Sequence, residues 1–204
     1  MSRLSAVLLA AILPLPLWAQ ACPTASDLTE GGIIFEFEEG DSETFRELRP
    51  GLIESVYAHD AEASGATRVL LAKGLYVLEI IELERGELQP NTRLTYAFPV
   101  AADALLLPET ETNGLAEWSY KVAYNDVGYI DQETQTFTPQ PKFEKSYGDC
   151  TYDVLPVHVH YSETPLTDRD VLHYLPALGI SYLAGNITAE GEETYEYQSI
   201  RSVK

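Results

Sequence analysis

The chain has 204 residues, with 13 basic against 32 acidic side chains and a formal charge of −19 at pH 7. So acidic a surface repels nucleic acid and anionic membrane, which excludes both as electrostatic partners. After the first two dozen residues no long apolar run occurs, so no transmembrane segment is expected in the rest of the chain.

Residues 1–21 have the layout of a secretory signal peptide: Arg3, an apolar run from Leu4 to Trp18, and the small-residue pattern Ala19-Gln20-Ala21. Pro14 and Pro16 interrupt the run, so it makes a poor membrane helix. Cleavage after Ala21 predicts a mature chain of residues 22–204, periplasmic or secreted, whose 12 basic and 32 acidic residues carry a charge of −20. In such a compartment two cysteines pair. A Cys22–Cys150 disulfide would close a loop of more than a hundred residues, worth roughly 4–5 kcal/mol in the chain-entropy model. The first mature position is also where bacterial lipoproteins are acylated, and attachment through Cys22 is the alternative. Ala19 stands where that motif usually carries Leu.

Short alternating segments follow. In "IIFEFEE" the residues Ile33, Phe35 and Phe37 fall on one face, and "WSYKVAY" does the same with Trp118, Tyr120, Val122 and Tyr124. Period two with β-branched and aromatic residues predicts half-buried strands. Helical character is confined to short pieces near Ser26–Glu30 and in "AADALLLPE". "RPG", "ERGE", "NDVG" and "AEGE" supply the backbone conformations of tight hairpins. The connections are too short for parallel crossovers, so the expected fold is all-β, an antiparallel meander of about 10–13 strands.

An internal match suggests two repeated units, at about 31–98 and 117–201. "VYAHDAEASGATRVLLAKGLYVLEI" aligns with "VHVHYSETPLTDRDVLHYLPALGISYL", which puts Gly74 in step with Gly179. Two such units would form an open half-barrel or a sandwich within one domain, with "FPVAADALLLPETETNG" as the linker between them. The second unit carries an insertion near "TPQPKFEKSYGDC".

"LPVHVHYSE" places His158 and His160 two positions apart, on one face of a strand. If Val157, Val159 and Tyr161 share a buried face with Leu172 and Tyr174, His173 joins the other two histidines. Three imidazoles on one face are a candidate zinc or copper site, and a one-residue change of register removes it. The bland alternative is three histidines at polar sheet positions. Ser181 lacks a nucleophile elbow. With 32 acids no carboxylate pair stands out, and no catalytic residue is assigned. "EEGDSE" and "TDRD" lack an EF-hand spacing and read as solvated acidic turns. Asn186-Ile187-Thr188 fits a glycosylation sequon and is taken as chance. Ten of the 13 tyrosines lie from Tyr120 onward, where they serve cross-strand packing or line a groove.

"CTYDVLPVHVHY" followed by "VLHYLPALGISYL" resembles small uncharacterised secreted proteins of alphaproteobacteria, over about the last quarter of the chain. A meander behind a signal peptide is also similar to the open half-barrels of periplasmic lipoprotein carriers. That likeness implies a concave face for an acyl chain; the helical lid of those carriers has no counterpart here.

The sequence therefore points to an exported all-β protein with one disulfide, acting by binding an apolar small molecule or an envelope protein. A metal-binding protein or small enzyme organised around His158, His160 and His173 is the first alternative, and a lipid-anchored envelope component the second.

Overall fold

The computed structural model describes residues 21–37, 40–59, 65–108 and 116–203. The expected signal peptide falls almost wholly on residues 1–20, outside the described residues. Among the described residues, no helix is long and apolar enough to cross a membrane.

One four-residue helix, α1 (Asp27–Glu30), precedes the strands, and "AADALLLPE" holds a single 3-10 turn at Ala102–Ala104. The first half of the sheet comprises β1 (Ile33–Glu36), β2 (Ser42–Arg49), β3 (Leu52–Ala58), β4 (Gly65–Ala72), β5 (Tyr76–Glu84), β6 (Glu87–Leu88) and β7 (Leu94–Ala97). Then come β8 (Trp118–Asp126), β9 (Tyr129–Pro139), β10 (Phe143–Tyr147) and β11 (Cys150–Tyr161). The last are β12 (Arg169–Leu175), β13 (Ile180–Thr188), β14 (Gly191–Thr194) and β15 (Ser199–Ser202).

All fifteen belong to one antiparallel sheet, in the order β14-β13-β12-β11-β9-β8-β7-β5-β4-β3-β2-β1-β15, with β6 beside β5 and β10 beside β11. The meander is as expected, rolled rather than folded into a two-sheet sandwich. Its path does not close, but one stretch reaches both ends of it. β14 pairs with β13, and the Tyr195 N–H donates to the Ala184 carbonyl at 2.8 Å. A few residues on, the Gln198 N–H donates to the Glu36 carbonyl at 2.9 Å and β15 pairs with β1.

Two cores fill the roll. In the first, the Phe35 ring is surrounded by Phe45, Tyr147, Tyr182 and Tyr197 at centroid distances of 5.1–5.7 Å. The second is built on Tyr76, Phe137, Val157 and Val159, with Trp118 stacked on Phe137 at 5.6 Å. Strand β11 serves both. Over its first half Cys150, Tyr152 and Val154 point into the first core, and beyond it Val157 and Val159 point into the second. At the changeover Leu155 and Pro156 are both buried. Pro156 lies between Val154, which pairs with β10, and Val157, which pairs with β9. A residue with no N–H fits where the neighbouring strand changes.

Cys22 is bonded to Cys150 with 5.5 Å between Cα atoms, so its sulfur is not available for thioether acylation. The Tyr152 hydroxyl donates to the Pro23 carbonyl at 2.7 Å and adds a second tie at the N-terminal end. The segment expected as a linker is fastened to the sheet in its described part. The Lys73 ammonium donates to the Asp103 and Leu105 carbonyls at 2.9 and 2.7 Å, Tyr76 donates to the Leu106 carbonyl, and Leu105 is buried. Pattern reading misses this because the acceptors are backbone carbonyls, which any residue carries.

Segments 31–98 and 117–201 correspond to β1–β7 and to β8–β15 as far as Arg201, and the glycines aligned between them meet. The Gly74 carbonyl accepts from both the Ser181 N–H and the Ser181 hydroxyl, each at 2.7 Å. A Cβ on Gly74 would lie 2.0 Å from the Gly179 carbonyl oxygen. The β4–β5 turn thus sits against the β12–β13 turn.

Candidate functional site

Between the two cores the rolled sheet forms a partly open cavity of about 230 Å³. Strand alternation builds its walls. Phe45 faces Ser55 across β2–β3, Ser55 faces Val69 across β3–β4, and Val69 faces Ile80 across β4–β5. Directly paired residues share a face, so Ser55, Val69 and Ile80 line the same side of the sheet. Val69, Leu71, Leu75, Val77 and Leu172 make most of the apolar wall.

The polar lining falls into two groups from opposite halves of the sheet. Glu43 on β2 accepts from the Ser55 hydroxyl at one carboxyl oxygen and from the Tyr197 hydroxyl at the other. Burial raises its pKa above 4.5, and these two hydrogen bonds work in the opposite direction. Across the cavity, Asp170 on β12 accepts at Oδ2 from the Tyr161 hydroxyl at 2.8 Å. Oriented by its neighbours, the Asn186 amide donates to Asp170 Oδ1 at 2.9 Å and accepts from the Tyr195 hydroxyl. Burial raises the Asp170 pKa as well, the Tyr161 hydrogen bond opposing it. Tyr96 and Gln135 complete this group; burial, with Glu133 and other charges adding, pushes the Tyr96 hydroxyl up to about 12.

Both acids belong to stretches expected to be solvated turns. Glu43 ends "EEGDSE" and Asp170 ends "TDRD". The last acid of each is already in a strand and faces inward, which corrects the reading as wholly solvated turns. Phase was the available signal: Glu43 is two residues before the buried Phe45, and Asp170 is in step with Leu172 and Tyr174. Asn186, read only as a sequon, has its side chain committed to Asp170.

The histidines take the expected register. Val157 pairs with Leu172 and Leu155 with Tyr174, so His158, His160 and His173 share the face opposite Val157. Each has its own surroundings there. His160 Nδ1 lies 3.1 Å from the Asp168 carbonyl, and His173 Nδ1 lies 3.0 Å from the Tyr182 hydroxyl, between the Phe143 and Tyr182 rings. Burial, with the Lys145 and His158 charges adding, lowers the His173 pKa to about 4. Among the described residues no group of three or more His, Cys, Asp or Glu side chains is placed to hold a metal ion.

Comparison of the chain with protein-family models, with curated proteins and with solved structures finds no match. What the cavity can do therefore rests on its own chemistry.

Proposed function

We propose that this is an exported binding protein of the periplasm or extracellular space, whose rolled sheet holds a small molecule with an apolar body. The observation that carries the reading is the cavity of about 230 Å³ between the two cores. Native interiors keep few voids larger than a water molecule. A cavity of about 150 Å³ lined by aliphatic and aromatic side chains already takes up benzene. The space is partly open to solvent and its lining is mostly apolar, so an apolar occupant gains by displacing water from it. The Cys22–Cys150 disulfide and the leader-like residues 1–21 support export.

The test is methyl NMR of the folded protein titrated with indole, a neutral probe of suitable size. Saturable shifts are expected at the Val69, Leu71 and Leu172 methyls, lost in Val69→Phe and Leu172→Trp variants that keep the remaining spectrum. Absence of shifts in the parent protein, or equal shifts in both filled variants, overturns the reading.

A further inference from the structure

Glu79 shows how this chain accommodates a buried acid paired with basic side chains. Its carboxylate, in a residue only 8% exposed, is held by Arg68 at 2.9 Å and by Arg93 Nε at 2.7 Å. Glu43 and Asp170 are treated differently. Among the described residues neither has a lysine or arginine at ion-pair distance. Their donors are neutral: Ser55 and Tyr197 for Glu43, Tyr161 and Asn186 for Asp170.

We infer that the cavity selects an organic cation, a protonated amine on a compact apolar body, with its ammonium seated against Glu43 or Asp170. The inference rests on the cavity being a binding site, as proposed above. A carboxylate offers about four lone-pair positions, and each of these two accepts one described donor per oxygen. Acceptor capacity is therefore left over on groups that line the cavity. Tyr96, Tyr161 and Tyr182 line the same space, and their ring faces attract a cation. No basic side chain lines it, so an anionic ligand would meet two acids and no counter-charge. The net charge of −19 raises the local concentration of cations around the whole molecule.

Three probes of nearly equal size separate the possibilities: phenethylammonium, 2-phenylethanol and phenylacetate, titrated calorimetrically into the full mature protein at neutral pH. Phenethylammonium is expected to bind at least ~tenfold more tightly than the alcohol, as charge-assisted hydrogen bonds allow, and phenylacetate not to bind. In Glu43→Gln or Asp170→Asn, whichever removes the seat, the ammonium preference should disappear with alcohol affinity unchanged. Equal binding of ammonium and alcohol overturns the cation inference while leaving the binding reading intact. Failure of all three probes overturns both. Preference that survives the double variant Glu43→Gln/Asp170→Asn assigns it to the general acidity of the surface and refutes the site.

Discussion

Replacing Gly74 by alanine tests the contact that holds the roll together. Gly74 has φ +67°, a left-handed conformation that costs a residue with a Cβ about 1 kcal/mol. Its new methyl group would lie 2.0 Å from the Gly179 oxygen and 2.8 Å from the Ile180 Cα, both backbone atoms with no side-chain freedom to yield. The two turns must separate by about 1.5 Å to reach ordinary contact. That movement strains both 2.7 Å hydrogen bonds from Ser181, a residue only 4% exposed, at about 1–3 kcal/mol for buried groups left unsatisfied. The expected destabilisation for Gly74→Ala is therefore about 2–4 kcal/mol. Gly179→Ala is the internal control. Its φ of +70° carries the same conformational cost, but nothing lies within 4 Å of the added Cβ, so about 1 kcal/mol is expected. Urea titrations followed by tryptophan fluorescence measure both, Trp118 being packed on Phe137 in the second core. Equal losses in the two variants would refute the close approach of the turns.

Other outcomes follow from the ties and the buried charges. Cys150→Ser, or reduction of the parent protein, should cost about 5 kcal/mol, since the disulfide spans 128 positions of sequence; urea midpoints with and without reductant measure it. Because the folded pKa of Glu43 lies above 4.5, the stability it contributes is complete below that pH and is lost as pH rises through the folded value. As pH rises above 4.5 the urea midpoint of Glu43→Gln should therefore fall less than that of the parent, and parallel curves would count against the assignment. His173 acts in the other sense: with a folded pKa of about 4, it favours the fold above its ordinary 6.5 and opposes it as pH falls toward 4. Its ring proton resonances should stay unchanged between about pH 5 and 8.

Much of the sheet was legible because alternation determines which side chains share a face. Ile33, Phe35, Trp118 and Val122 were placed correctly, and the valines of β11 gave enough phase to set the histidine face. Alternation does not show what a face will meet. Leu155 and Pro156 are both buried because β11 turns one face to the first core over its first half and the other to the second core beyond it, and no period-two pattern records that. The same limit hid the site. Glu43 and Asp170 look like turn acids until the roll closes a cavity over them, although each was in step with apolar neighbours. His173 was on the expected face, yet the Phe143 and Tyr182 rings beside it determine its environment.

The C-terminal stretch that holds both ends of the sheet also sets an order of events. Ile33 in β1 finds its β15 partner only at Ser202, with nearly the whole described chain between them. As such a chain emerges from its N-terminus, hairpins can form one after another, while the β1 edge and its side of the first core wait for the last strand. The polypeptide thus stays open along one seam through most of its emergence.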